Sequence, residues 1–155
     1  MLIFESSCRI QSFLVTLHRY QLNNERAHMN VILSIRPNFC NMIFSGQKKY
    51  EYRKRIFTRM DVDKVYVYAT KSICKIVGCF RVEEVIEDKV GYMWKKTHIS
   101  SGISKEYFDA YFLNAKTAYA IKIKDARQYP VPIDPKKIIK GFHVPQNFMY
   151  VDFDL

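Results

Sequence analysis

The stretch SGQKKYEYRKR, residues 45–55, contains a dense set of lysines and arginines, two tyrosines and a single carboxylate, Glu51. Its opening Ser-Gly pair is typical of a helix end, and the residues after it have the character of a β-strand. One face of such a strand would carry the acid together with three cations: Lys49, Glu51, Arg53 and Arg55. A solvated basic strand does not need that acid, whereas a site that binds an anion and orients its own side chains does.

Strand and helix patterns alternate on both sides of this stretch. Upstream, VILSI (residues 31–35) has the pattern of a buried strand, and Pro37 suits the first turn of a short helix. Downstream, four further strands are predicted: DKVYVYA, ICKIVGCFRVEEVIED, TAYAIKIK and NFMYVD. Two further helices are predicted at VGYMWKK and at ISKEYFDAYF, where Ser104 suits the N-cap position. Proline-broken loops are expected at Pro130, Pro132, Pro135 and Pro145.

These patterns predict an α+β domain with about five or six strands and two or three short helices, folded as a small closed β-barrel. The domain is expected to span residues 29–155, because the strand pattern begins cleanly after Met29. Residues 1–28 lack this strand pattern and have a weakly helical one. They are either an added helix that packs on the domain or an upstream extension from a mis-assigned start codon.

Composition restricts the class of partner. The chain has 155 residues, of which 48% are hydrophobic, and a formal charge of +10. The hydrophobic content is sufficient for a core, and the positive charge favours polyanions such as RNA or DNA. Because the sequence has neither an apolar run of about 18 residues nor a signal arrangement, we predict a cytoplasmic protein without a membrane partner.

Metal and cofactor chemistry are not indicated. The cysteines form no C-x-x-C pair and the histidines are scattered, so neither a zinc site nor a disulfide framework is predicted. No spacing suggests a Ser-His-Asp or Cys-His nucleophile, and no acidic cluster suggests a metal-dependent nuclease. We therefore expect no cofactor and no metal ligand.

The segment GQKKYEYR resembles the G-x-K-x-x-E-x-R signature of the ASCH domain, a member of the PUA-like superfamily. The matching residues are Gly46, Lys48, Glu51 and Arg53. The resemblance extends over roughly residues 30–152 and is to ASCH proteins regarded as transcriptional regulators. It implies a β-barrel with a cleft beside the first helix, into which the signature lysine, glutamate and arginine project.

The resemblance implies a module that binds RNA or a nucleotide. Cationic side chains would neutralise phosphates, Glu51 would orient Arg53, and Trp94 would stack on a base. The predicted ligand-binding residues are Gly46, Lys48, Lys49, Glu51, Arg53, Arg55 and Trp94. For the tryptophan and the tyrosines, packing in the core is the competing interpretation.

An enzyme is the alternative, with Lys48 and Glu51 as its catalytic residues. Some ASCH proteins are amidohydrolases that act on N4-acetylcytidine, and others are ribonucleases. In the amidohydrolase branch a threonine occupies the position equivalent to Glu51, so this chain departs from that pattern. A metal-independent ribonuclease is the other enzymatic hypothesis. The sequence does not indicate an oligomeric state.

Overall fold

A computed structural model describes residues 29–155, so both interpretations of residues 1–28 fall outside the described part of the chain. Six strands and three α-helices lie within residues 29–155. The strands are β1 (Met29–Ile35), β2 (Tyr50–Arg53), β3 (Val62–Ala69), β4 (Lys75–Lys89), β5 (Thr117–Ile133) and β6 (Phe148–Val151). The helices are α1 (Pro37–Phe44), α2 (Val90–Thr97) and α3 (Lys105–Tyr111), with short 3-10 helices at His98–Ser100 and Pro135–Lys137.

All six strands form one mixed sheet in the order β2-β5-β4-β3-β1-β6. Strands β1 and β3 are parallel, and the other neighbouring pairs are antiparallel. The predicted α+β class, number of strands and number of helices are therefore confirmed. In the described residues no helix has the length and apolar character needed to cross a membrane.

The predicted closed barrel is corrected, because β2 and β6 remain as the two edges of the sheet. Both edge strands have only four residues. Side-chain hydrogen bonds link the two edges instead of a backbone ladder. Arg53 donates to the backbone carbonyl of Asn147, and the Asn147 side chain donates to the carbonyl of Arg55 at 3.3 Å. We call this region, defined by Arg53, Arg55 and Asn147, the seam of the sheet.

Local signals for helix boundaries are confirmed. Pro37 occupies the first turn of α1, and Gly46 follows the helix with a φ of +76°. The Ser104 side chain caps α3 by accepting a hydrogen bond from the backbone N–H of Tyr107 at 3.2 Å. These features depend on nearest neighbours along the chain, which explains why the sequence alone predicts them.

The predicted loop at Pro130 and Pro132 is wrong, because β5 continues to Ile133. Strand β2 pairs with β5 no further than Lys122, so one side of this part of β5 has no strand beside it. A proline that lacks an N–H donor is tolerated on such an edge.

The alternation of β2 separates the charged face of the strand from its aromatic face. Tyr52 packs into a hydrophobic cluster beneath α2 and α3, and its hydroxyl lies 2.7 Å from the Thr97 hydroxyl. That cluster also contains Met93, Phe108, Phe112, Ala118 and Ala120. Glu51 and Arg53 project from the opposite face of β2, as period-two geometry requires. Both faces of the strand are therefore buried.

Gly78 lies where β4 and β5 shift register, and it permits their close approach. A Cβ atom at this position would lie 2.3 Å from the carbonyl oxygen of Arg127 and 2.7 Å from the Phe44 ring. Gly78→Ala should therefore lower the free energy of unfolding by roughly 1–3 kcal/mol in urea titrations, since backbone atoms must move. The control is Gly91→Ala on α2, where the added Cβ would have no neighbour within 4 Å. If both variants unfold like the parent protein, close packing at Gly78 does not limit stability.

Candidate functional site

The segment between α1 and β2 is fixed by backbone hydrogen bonds on both sides. The Lys48 N–H donates to the Met42 carbonyl at 2.9 Å, and the Lys49 N–H donates to the Ser100 carbonyl at 2.8 Å. The Lys49 carbonyl in turn accepts from the N–H of Ile123 at 2.9 Å. These bonds fix the backbone from which the Lys48 side chain extends.

Three charged side chains meet beside this segment and are almost fully buried. Lys48, Glu51 and Arg53 are 2%, 6% and 8% exposed. The Glu51 carboxylate bridges the two cations, at 3.8 Å from Lys48 Nζ and 3.5 Å from Arg53 Nη1. We call these three residues the charged trio. Because charged side chains are seldom buried to this extent, we take the trio as the candidate functional site.

The Lys48 ammonium lies in a mixed polar and aromatic environment. Its Nζ donates to the Ser101 carbonyl at 2.9 Å and lies 5.0 Å and 5.3 Å from the ring centroids of Tyr52 and Phe39. Burial lowers the pKa of Lys48, and the nearby Glu51 carboxylate opposes that effect in part. The lysine is therefore easier to deprotonate than a lysine in water, which suits proton transfer, whereas its protonated form suits anion binding.

Arg53 is held mainly by backbone oxygens. Its Nη1 donates to the Ser34 carbonyl at 3.3 Å, and its Nη2 donates to the Asn147 carbonyl across the seam. Arg53 Nε is buried, and within the described part of the chain it has no hydrogen-bond partner. The guanidinium therefore has one buried donor without a partner, which is uncommon in a folded protein.

The charged trio lines a partly enclosed cavity of about 150 Å³. Aromatic side chains from α1 and α3 form much of its wall, and Arg36 lies exposed at its rim. The wall residues outside the trio include Phe39, Ile103, Tyr107 and Tyr111. Burial raises the pKa of Tyr111, and Arg53 partly opposes this shift, so its phenol is neutral near pH 7 and able to donate. We call this cavity the cleft.

Of the residues predicted to bind a ligand, the structure brings Lys48, Glu51 and Arg53 together in the cleft. Gly46 and Lys49 lie beside it and line a neighbouring groove of about 660 Å³. Arg55 is exposed beyond the end of β2 and does not line the cleft.

Trp94 does not line the cleft either. Its ring lies 4.9 Å from that of Phe108, at the edge of the α2–α3 cluster. The competing interpretation of this tryptophan as a packing residue fits that position.

The aromatic wall of the cleft and the backbone oxygens that hold the cations were not predicted from the sequence. Tyr107 and Tyr111 lie in a helix with several aromatic residues, a pattern more typical of core packing than of a binding site, and carbonyl groups carry no side-chain signal. In the described residues no group of three or more His, Cys, Asp or Glu side chains is placed to hold a metal ion.

One protein family and several known proteins are similar to most of this chain. The profile of the ASCH domain family matches residues 33–127, which include the charged trio. An ASCH domain-containing ribonuclease from Zymomonas mobilis is 25% identical over 122 residues, which is 77% of this chain and 82% of that protein. A crystal structure of ASCH from Zymomonas mobilis aligns with a TM-score of 0.74 at 25% identity, covering 79% of this chain and 87% of that one.

A longer relative contains a similar segment. The large ribosomal subunit protein uL22 of Ureaplasma parvum is 29% identical over 129 residues, which is 82% of this chain. The match spans 40% of that ribosomal protein. A sequence of this kind therefore also occurs as part of a larger polypeptide.

Glu51→Gln should destabilise the fold because it leaves two buried cations without their carboxylate. We expect a loss of roughly 3 kcal/mol, the lower end for a buried pair broken on one side, since Lys48 can release its proton. The control is Asp109→Asn, which removes the partner of exposed Lys105 and should cost at most about 1 kcal/mol. Urea unfolding of the two variants measures the difference. Equal small losses would contradict a structural role for Glu51.

Proposed function

The chain belongs to the ASCH domain family, and from this premise we propose that it binds RNA, with a phosphate group held in the cleft by Lys48 and Arg53. The observation that carries the proposal is the charged trio, which combines deep burial with an excess of positive charge. Two cations face one carboxylate, so one positive charge remains without a partner (2 − 1 = 1). A bound anion would offset the cost of burying that charge.

The donors of the trio suit a phosphate. The Lys48 ammonium has three N–H donors and donates one of them to the Ser101 carbonyl at 2.9 Å, and the Arg53 side chain lines the same cleft. Ammonium and guanidinium groups give short, charge-assisted hydrogen bonds to phosphate oxygens. Glu51 fixes the position of both cations, so little reorganisation is needed when the anion enters. Its role in this proposal is to orient the cations.

The cleft wall suits the rest of a nucleotide. Phe39, Tyr107 and Tyr111 offer aromatic surface beside the charged trio. Stacking of a base on an aromatic ring contributes about 1–3 kcal/mol and tolerates different bases. A phosphate site next to aromatic rings is the combination that single-stranded nucleic acids require.

RNA is preferred over other polyanions because of the family and its relatives. The chain carries a formal charge of +10, which suits any polyanion. The Zymomonas relative, which matches 77% of this chain, is by its name a ribonuclease and so acts on RNA. That relationship supports RNA as the partner.

Cleavage of the bound RNA is the second candidate function. Burial lowers the pKa of Lys48, so a larger fraction of this amine is neutral than for a lysine in water. A neutral Lys48 can accept the proton of a ribose 2′-hydroxyl as its oxygen attacks the neighbouring phosphorus, and Arg53 can offset the charge on that phosphate. The bond from phosphorus to the 5′-oxygen of the next nucleotide breaks, which leaves a 2′,3′-cyclic phosphate, and the departing 5′-oxygen takes a proton from water. Glu51, placed between both cations, is better suited to orient them than to accept this proton.

Arg53→Gln should weaken RNA binding by about tenfold or more, because one charge-assisted contact to phosphate is lost. The slope of log Kd against log salt should also become shallower. The matched control is Arg59→Gln, which removes the same charge from an exposed arginine paired with Asp61. Fluorescence anisotropy over a range of salt concentrations, with circular dichroism to confirm folding, measures both effects. Equal weakening by the two substitutions would show that general charge, and not the cleft, binds RNA.

Lys48→Arg should abolish cleavage while it retains most binding, because arginine keeps the positive charge but does not accept a proton near pH 7. The expected loss in cleavage rate is about 100-fold or more. Gel analysis of a labelled RNA gives the rate, and anisotropy of the same samples gives the affinity. Cleavage at the parental rate by Lys48→Arg would exclude Lys48 as the proton acceptor.

A further inference from the structure

We propose that the cleft recognises the terminal phosphate monoester of an RNA strand in preference to an internal phosphodiester. The inference rests on the proposed RNA binding and specifies which part of the RNA enters the cleft; it is an alternative to cleavage of an internal phosphodiester there. Three features carry it: the depth of the cations, the size of the cleft and its balance of charge.

Depth is the first feature. Lys48 and Arg53 are almost fully buried, and the cleft is lined by both of them, whereas the neighbouring groove is lined by Lys48 but not by Arg53. A phosphate that contacts both cations must therefore enter the cleft. An internal phosphate carries a nucleoside on each side, and both must accompany it or bend sharply away. A terminal phosphate carries one nucleoside, which can leave through the open side.

Size is the second feature. The cleft has a volume of about 150 Å³. A cavity of about this volume holds a molecule the size of benzene. One phosphate with part of its attached sugar is comparable with that volume, whereas a phosphate flanked by two nucleosides is far larger. The aromatic wall around Tyr107 then faces the single sugar or base that follows the phosphate.

Charge is the third feature. The trio has one uncompensated positive charge, and exposed Arg36 at the rim supplies a second (1 + 1 = 2). A phosphodiester carries a single negative charge, whereas a phosphate monoester carries about −1.5 to −2 near pH 7. The monoester therefore matches the positive charge that the cleft presents.

The hydrogen-bond donors agree with this charge balance. A terminal phosphate presents three strong acceptor oxygens. Three side chains that carry N–H or O–H donors line the cleft: Lys48, Arg53 and Tyr111. An internal phosphate has two non-bridging oxygens and would use fewer of these donors.

The test compares RNAs of one short sequence that differ in their ends. The set consists of a 5′-phosphorylated strand, a 3′-phosphorylated strand, a strand with hydroxyl groups at both ends and a circular form without ends. We expect one of the phosphorylated strands to bind about tenfold or more tightly than the hydroxyl-ended and circular forms. Arg36→Gln should reduce this preference, whereas Arg59→Gln should leave it unchanged. Both substituted arginines are exposed and lie outside the buried trio, so both variants should fold like the parent protein.

Protonation of the phosphate provides an independent readout. The second pKa of a phosphate monoester is about 6, so near pH 5 the terminal group carries about one negative charge, like a diester. The preference for the phosphorylated strand should therefore diminish between about pH 7.5 and pH 5. A preference that does not change with pH would overturn the charge match.

The remaining outcomes separate this inference from the proposed function. Equal affinity for all four RNAs, lost in Arg53→Gln, would overturn end recognition and leave RNA binding in the cleft intact. No binding of any RNA would overturn the proposed function itself. Displacement of the phosphorylated RNA by adenosine monophosphate or inorganic phosphate, at concentrations as low as those at which that RNA binds, would show that the cleft binds a phosphate on any carrier. That result would overturn RNA as the ligand.

Discussion

The carboxylate of Glu51, buried between Lys48 and Arg53, is the constraint on which the rest of the site depends. Without it, two buried cations would repel each other with no opposite charge beside them. The carboxylate, at 3.5 Å and 3.8 Å from the two cationic nitrogens, compensates one of the two charges. A stretch that is otherwise strongly basic therefore needs this one acid.

The open sheet places Arg53 where it can reach across the seam. Strands β2 and β6 lie at the two edges of the sheet, with no backbone ladder between them. Arg53, the last residue of β2, spans the seam with hydrogen bonds to the backbone carbonyls of Ser34 and Asn147. The cation that joins the two sides of the seam is therefore also one that lines the cleft.

Local elements were predictable because their signals are local. Pro37 begins α1, Ser104 caps α3, and alternation in the sequence marks the strands. Closure of the barrel was not predictable, because it depends on how residues about ninety positions apart in sequence, such as Arg55 and Asn147, meet in space. Pro130 suggested a loop for a similar reason, since the sequence does not show which side of β5 lacks a neighbouring strand.

The sequence predicts which charged residues form the candidate site, but it does not predict how deeply their side chains are buried. A basic stretch usually indicates a solvated face, and on such a face Glu51 would contribute little. The structure places the ion pairs in a buried environment, where Coulomb interactions are stronger and an unmatched charge is costly. The second cation has no carboxylate within the trio, so its burial carries an electrostatic cost. In the binding that we propose, a phosphate removes that cost, so affinity for the anion and incomplete charge compensation within the trio would have one physical cause.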